Sequence, residues 1–215
     1  MQMRFFEKHY DVYAFDFKGF GDNVPMQKPY ALDDYISDTA EYMYKHSLNC
    51  PFVVAHSFGA RVVVKFSSER YCENAPFSKI VLTGPAGLKP RFSLKKAVKR
   101  RVFKTLKPFL SEDKKSRFYS SDYLALSPVM RESFIKIVNE HLDASAKKIT
   151  VPTLIICGEE DKETPPYMAK RYHDYIKNSK LKIIKNAGHF AFIDKPHKFN
   201  REVEEFLLRN ENVSV

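Results

Sequence analysis

Short apolar runs alternate along the chain with longer stretches of helical periodicity. Runs rich in Val, Ile, Phe and Tyr, which are typical of strands, occur at residues 11–17, 51–55, 79–83, 152–157 and 181–185. Helix-length segments separate most of these runs, which predicts a mostly parallel sheet with helices on both faces. The runs at 52–55 and 154–157 lack polar alternation, as expected for strands that are covered on both sides.

A long insertion separates the third predicted strand from the fourth. It has about sixty residues, too many for a loop in a compact α/β unit. Apolar residues recur at helical spacing between Leu94 and Leu106, and a second helical stretch near 127–142 begins with a serine N-cap followed by proline. These patterns predict a helical cap at 88–148, inserted into a core formed by residues 1–87 and 149–215.

Composition narrows the class of protein. The 215 residues, of which 44% are hydrophobic, suffice for one domain with a real core. Charges interrupt the first apolar residues, so no signal peptide is predicted, and no stretch reaches the roughly 18 apolar residues of a membrane span. Cys50, Cys72 and Cys157 are odd in number and widely spaced, which predicts neither disulfides nor a zinc site. We therefore expect a soluble, cytoplasmic protein without a cofactor.

The net charge of +10 is concentrated in the predicted cap. Residues 89–148 hold 16 basic and 6 acidic residues, a difference of +10 that equals the excess of the whole chain. The segment 89–107 combines charge with apolar spacing, so weak association with an anionic membrane surface is one interpretation. A solvated cap helix whose apolar face rests on the core is the simpler one. No nucleic-acid motif accompanies the charge, so no nucleic-acid partner is expected.

The first candidate for chemistry is Ser57. A buried-strand pattern meets a sharp turn there and a helix starts at once, with the small residues Ala55 and Gly59 where a tight crossing leaves no room for larger side chains. Such a turn lifts the hydroxyl clear of the backbone and places it near a helix N-terminus, where the Phe58 N–H would stabilise an oxyanion. A serine N-cap beside a glycine selected for packing is the alternative.

A serine nucleophile needs a general base, and the base needs an acid to orient it. Asp161 follows the predicted strand at 152–157, and His189 follows the one at 181–185. Catalytic groups of an α/β sheet lie at the carboxyl ends of its strands. We therefore expect Ser57, Asp161 and His189 to share one edge of the sheet.

Other residues compete for these roles. Glu159 and Glu160 share a loop with Asp161, and we interpret them as solvated charges. His56 is interpreted as a packed or hydrogen-bonded neighbour of the nucleophile. The remaining histidines show no spacing typical of metal ligands, so no metal is predicted: His9, His46, His141, His173 and His197.

Four segments together resemble the capped branch of the α/β-hydrolase-fold serine hydrolases. Residues 16–21 are similar to the D-x-x-G-x-G loop of that family, and 55–59 are similar to its nucleophile elbow, with alanine in place of the first glycine. Residues 158–165 are similar to the acid loop and 188–190 to the histidine loop, and the order Ser, Asp, His is the family order. The resemblance implies a triad of nucleophile, acid and base at the three positions above.

The resemblance also limits the reaction. Relatives that open epoxides or remove halides carry aspartate at the elbow, so a serine disfavours those reactions. We expect hydrolysis of a small carboxylic ester or related acyl compound through an acyl-enzyme on Ser57. Tyr123, Met130 and Phe134 are candidates for the acyl pocket, although packing within the cap is their simpler interpretation. The alternative function is a non-catalytic remnant that binds a partner or an anionic surface through the basic cap.

One part of the family pattern has no counterpart. The family's sheet normally has three strands before the one at 11–17, and a His-Gly loop after the third contributes a second oxyanion donor. Residues 1–10 are instead typical of the end of a helix. We expect a shortened sheet with an open edge beside 51–55, and a missing donor would cost roughly 2.7–4 kcal/mol of transition-state stabilisation. The hypothesis that an N-terminal third has been omitted is tested by reading the genomic sequence upstream, in frame.

Overall fold

Four parallel strands form the centre of the computed structural model, which describes residues 1–68, 75–92, 94, 123–124 and 126–208. The strands are β1 (Phe52–His56), β2 (Lys79–Thr83), β3 (Thr153–Gly158) and β4 (Ser179–Ile184). Their order in the sheet follows the sequence, and every neighbouring pair is parallel. The predicted parallel α/β sheet is therefore confirmed, with each of these strands within two residues of its expected bounds.

Helices cover both faces of this sheet. Along the described chain they are α1 (Gln2–Phe6), α2 (Leu32–Lys45), α3 (Phe58–Ser68), α4 (Pro128–Asn139), α5 (Asp143–Ala146), α6 (Pro166–Tyr175), α7 (Ala191–Asp194) and α8 (Pro196–Leu208). Apolar residues of α2, α3 and α6 pack in one core cluster, while those of α1, α7 and α8 pack in a second. Within the described part of the chain, no helix is both long and apolar enough to cross a bilayer.

The start of α4 follows from its sequence. Ser127 is the N-cap, its hydroxyl accepts a hydrogen bond from the Met130 N–H at 3.3 Å, and Pro128 occupies the first helical position. The predicted helix start is therefore confirmed, although the helix ends three residues before the expected 142. The other predicted cap helix lies outside the described residues, apart from Leu94, and the division into core and cap stays a prediction.

The segment 11–17 differs from its prediction. It is extended but forms no strand in the described structure, and Tyr13 and Phe15 are 49% and 37% exposed. The Tyr10 ring lies 6.2 Å from that of Phe52, at one end of β1, and the Phe17 ring lies 5.6 Å from that of Phe58, beyond the other. The segment therefore runs past β1 without pairing with it. An extended chain needs a hydrogen-bonded neighbour to become a strand, and composition alone cannot supply one.

The expected open edge is present at β1. This strand pairs with β2 alone among the described strands, and Phe52 and Val54 are 42% and 47% exposed. The prediction that β1 is covered on both sides is therefore wrong, because residues 52 and 54 share a face that its neighbours leave open. The same prediction is confirmed for β3, which is buried at all six positions.

An exposed apolar edge strand is a template for pairing with another chain. We expect the 215-residue chain to self-associate as its concentration rises, and the substitution Val54→Lys to weaken this association about tenfold, or about 1.4 kcal/mol. Sedimentation velocity over a concentration series measures both, with Val54→Thr as an uncharged control. A monomeric wild type, or equal association of the lysine variant, would contradict this assignment.

Candidate active site

Ser57 occupies the sharp turn between β1 and α3. Its φ angle is 46°, in the left-handed region that non-glycine residues rarely adopt. The Ser57 N–H donates to the Thr83 carbonyl at 3.0 Å, which fixes the turn to the end of β2. Strained backbone of this kind persists only where the surrounding structure holds it. The geometry is that of a serine presented at the carboxyl end of a parallel sheet.

The crossing of β1 and α3 is less tight than the sequence implies. Ala55 is buried, but a methyl group built on Gly59 would lie 3.8 Å from the Ala55 Cβ, an ordinary van der Waals contact. The expectation that this position has no room for a larger side chain is therefore wrong for one methyl group.

Asp161 and His189 form a direct, buried pair. The His189 Nδ1 lies 2.8 Å from the Asp161 Oδ2, and the two side chains are 7% and 0% exposed. The other carboxylate oxygen accepts from the backbone N–H groups of Glu163 and Thr164, at 2.9 and 2.8 Å. The competing Glu159 and Glu160 are exposed. The acid that contacts the Nδ1 atom of the imidazole is Asp161.

Thr164 and two glycines complete this arrangement, and sequence reasoning assigned them no role. The Thr164 hydroxyl donates to the Asp161 Oδ2 at 2.8 Å and lies 3.3 Å from the His189 Nδ1. A Cβ on Gly84, whose φ is +48°, would lie 3.1 Å from that same Nδ1, and one on Gly158 would lie 2.1 Å from the Gly188 carbonyl oxygen. Gly158 and Thr164 lie in the segment 158–165 that resembles the acid loop, which was the local signal for both, and Gly84 had none.

The structure brings Ser57 and the Asp161–His189 pair to one end of the sheet. Thr83, which holds the Ser57 N–H, directly precedes Gly84, which adjoins the imidazole. No hydrogen bond joins Ser57 to His189 in the described structure. Instead the His189 Nε2 lies 3.5 Å from a carboxylate oxygen of Glu163, a side chain that is 63% exposed. Catalytic hydrogen bonds are often long without substrate and shorten in the reacting complex.

His56 packs against the base and is not itself poised for catalysis. Its ring centroid lies 4.6 Å from that of His189, and its Nδ1 lies 3.1 Å from the Thr83 carbonyl oxygen. Burial, and secondly the neighbouring imidazole, lowers the pKa of His56 from 6.5 to about 4. The interpretation of His56 as a packed, hydrogen-bonded neighbour agrees with this environment.

The N-terminus of α3 lies at the candidate nucleophile. Phe58 is the first residue of this helix, and the N–H groups of a first turn have no acceptor within the helix. Its ring contacts those of Phe17, Phe20 and Tyr35 at centroid distances of 5.6, 5.6 and 5.0 Å. These contacts fix the Phe58 side chain. Its backbone N–H, which has no acceptor within the helix, is the candidate oxyanion donor.

A cavity of about 300 Å³ opens beside Ser57. Met130 and Phe134 line it, as the sequence suggested, whereas Tyr123 is absent from its lining and contacts the Phe134 ring at 5.7 Å. A larger cavity of about 480 Å³ lies between the 15–18 segment and α2, and none of the three candidate catalytic side chains lines it. The smaller cavity is therefore the one placed for chemistry at Ser57.

Comparison with known proteins gives consistent matches. A family model described as "Serine aminopeptidase, S33" matches residues 2–196. The AB hydrolase superfamily protein YisY of Bacillus subtilis is 23% identical, over 89% of this chain and 79% of that protein. A proline iminopeptidase of Lactobacillus acidophilus is 39% identical over 64 residues, which are 30% of this chain and 22% of the enzyme.

Solved structures share the architecture. An esterase from Exiguobacterium antarcticum superposes with a TM-score of 0.74 at 23% identity, covering 96% of this chain and 85% of that one. At this level of identity the likeness shows a common fold and carries no information on substrate.

We expect Gly84→Ala to impair activity without removing a functional side chain. The new Cβ would occupy a left-handed backbone position and press on His189, and a displacement near 1 Å reduces rates on the order of a hundredfold. Steady-state kcat/KM with 4-nitrophenyl acetate measures the loss. Gly59→Ala, whose new Cβ makes only ordinary contact, is the matched control. Equal activity of the two variants would contradict this account of the site.

The lowered pKa of His56 predicts a pH-dependent stability. Between about pH 6.5 and 4 the unfolded chain binds a proton at His56 that the folded chain excludes, so the free energy of unfolding falls as pH falls through this window. Urea unfolding at pH 7 and pH 5 should show a smaller loss for His56→Gln than for wild type. His9→Gln, which changes an exposed histidine, should retain the wild-type loss. Identical losses in all three proteins would exclude a role for His56.

Proposed function

Because the chain belongs to the serine aminopeptidase S33 family of α/β-hydrolases, we propose that it hydrolyses a small carboxylic ester or related acyl compound through an acyl-enzyme on Ser57. One observation carries the proposal: a strained serine turn lies at the same sheet end as a buried Asp161–His189 pair with a 2.8 Å contact. Structural roles alone do not require this combination, and together the three groups provide a nucleophile, a base and an orienting acid.

The proton transfers follow from the position of each atom. The His189 Nδ1–H donates to Asp161, which leaves the Nε2 lone pair free to accept the Ser57 hydroxyl proton. The imidazole must turn from Glu163 toward the serine as substrate binds. Asp161 then stabilises the imidazolium and keeps its own charge, because its oxygens already accept hydrogen bonds from the acid loop.

The acyl transfer then proceeds in two balanced halves. Ser57 Oγ bonds to the substrate carbonyl carbon, and the negative charge on the carbonyl oxygen is stabilised by the Phe58 N–H and the positive end of α3. The carbon–oxygen bond to the alcohol breaks as His189 returns its proton to the leaving oxygen. Water, deprotonated by the same Nε2, attacks the acyl carbon. The bond to Ser57 Oγ then breaks as the imidazolium returns the proton to Oγ, which releases the carboxylic acid and free Ser57.

The cavity beside Ser57 is suited to an apolar acyl chain. Most of its described lining is aromatic or aliphatic, with Phe20 and Phe58 on one side and Met130 and Phe134 of α4 on the other. Its volume of about 300 Å³ lies at the small end of ligand pockets. A short acyl group fits this space better than a long lipid chain.

Labelling with a fluorophosphonate tests the proposal directly. We expect one adduct per chain on Ser57. The adduct should be lost in Ser57→Ala and retained in Ser67→Ala, which changes a serine within α3. Asp161→Asn should reduce ester hydrolysis by about 10⁴-fold, because the base loses its orienting carboxylate. Intact-protein mass spectrometry and initial rates measure the two effects. Absence of labelling in the folded wild type would favour the non-catalytic remnant that binds through its basic segment.

A further inference from the structure

Arg61 is the one charged residue among the described residues that line the cavity beside Ser57. It lies one turn into α3, and helical side chains lean toward the helix N-terminus, which here is the Ser57 turn. The guanidinium is therefore carried on the same helix end that presents the nucleophile. A positive charge in an otherwise apolar acyl pocket needs a physical explanation.

Only part of the guanidinium is used within the protein. Its Nη1 donates to the backbone carbonyls of Ile137 and Glu140, at 2.8 and 3.0 Å, at the end of α4. A guanidinium has five N–H donors. The Nε and Nη2 groups make no hydrogen bond in the described part of the chain, which leaves the remaining donors available to a ligand.

Arg61 also forms no ion pair with a described residue. The Glu140 carboxylate bonds to Lys65 at 2.6 Å, and that lysine pairs with Asp33 at the same distance. Among the described residues no carboxylate lies within ion-pair distance of Arg61. Burial lowers the pKa of its guanidinium, which nevertheless stays charged at neutral pH. A half-buried cation without an ion-pair partner among the described residues is unfavourable, and an anion brought by a substrate would relieve that penalty.

The cavity lies on the acyl side of the scissile bond. His189 must reach the leaving oxygen to protonate it, yet His189 is absent from the cavity's described lining, whereas Ser57 and Phe58 are part of it. The group that fills the cavity is therefore the acyl chain. The net charge of +10 on the whole chain also favours approach of anionic over cationic compounds.

We propose that Arg61 is an anion-binding residue of the acyl pocket, and that the preferred substrates are esters whose acyl chain ends in a carboxylate, such as half-esters of short dicarboxylic acids. The inference rests on the proposed function of Ser57. The terminal carboxylate accepts hydrogen bonds from the Nε and Nη2 donors of Arg61, while the ester carbonyl lies at the Ser57 hydroxyl. The aromatic and aliphatic walls contact the methylene groups between them.

Two matched substrates test the proposal in the 215-residue protein. Mono-4-nitrophenyl adipate and 4-nitrophenyl hexanoate have the same leaving group and the same number of acyl carbons, and they differ in the terminal charge. Rates are corrected with Ser57→Ala as the background. We expect kcat/KM for the adipate ester to exceed that for the hexanoate ester about tenfold or more. A wild-type ratio at or below one overturns the proposal.

Variants of α3 assign the preference to Arg61. Arg61→Met should lower the adipate-to-hexanoate ratio about tenfold, and Arg61→Lys should retain part of it because the charge remains. Lys136→Met removes an exposed positive charge from α4, outside the described cavity lining, and should leave the ratio unchanged. An unchanged ratio in a natively folded Arg61→Met variant overturns the assignment. If that variant does not fold, the adipate-to-hexanoate ratios of Arg61→Lys and of the wild type decide whether the assignment to Arg61 stands.

A binding measurement separates this inference from the proposed function. Isothermal titration with adipamate and with hexanamide requires no turnover. Tighter binding of adipamate that is lost in Arg61→Met and weakened in Arg61→Lys supports the anion site even if neither ester is hydrolysed, in which case the proposed function alone fails. Equal binding of the two amides, or binding of neither, overturns the anion site whatever the activity.

Discussion

A carboxylate can remain buried only if hydrogen-bond donors surround it. The arrangement of the candidate active site depends on meeting that requirement at Asp161. Two backbone N–H groups, the Thr164 hydroxyl and the His189 ring together satisfy both oxygens. The donors come from the acid loop itself and from the loop after β4, so satisfying the charge also joins the ends of two adjacent strands. The imidazole is held by this contact rather than by the serine it would serve. This explains how the pair stays ordered while Ser57 makes no bond to it.

The candidate nucleophile depends on a different part of the molecule. Ser57 is held by its own strained turn and by Thr83, at the end of a strand whose outer edge is unpaired among the described strands. Asp161 therefore follows the fully buried strand β3, whereas Ser57 follows the edge strand β1. A ligand that contacts both Ser57 and His189 would join them, which gives substrate binding a structural role beyond recognition.

Sequence patterns predicted what depends on local chemistry and parallel topology. The strand at 79–83 is an apolar run with its observed bounds, and Asp161 and His189 could be placed together because each follows a strand of one parallel sheet. The segment 11–17 has the composition of a strand but pairs with none of the described strands. The exposure of β1 likewise depends on its outer edge, with which no described strand pairs. Gly84 and Arg61 escaped detection because the contacts that define their roles join distant segments, which no periodicity in the sequence records.

The central claim is that Ser57, Asp161 and His189 act as one catalytic unit. A crystal structure of the protein after reaction with diethyl 4-nitrophenyl phosphate tests it most directly. We expect a diethylphosphoryl group on Ser57 Oγ, with its phosphoryl oxygen accepting a hydrogen bond from the Phe58 N–H. We expect His189 to be turned from Glu163 toward the serine and still bonded to Asp161. An unmodified Ser57, with the imidazole still facing Glu163, would contradict it.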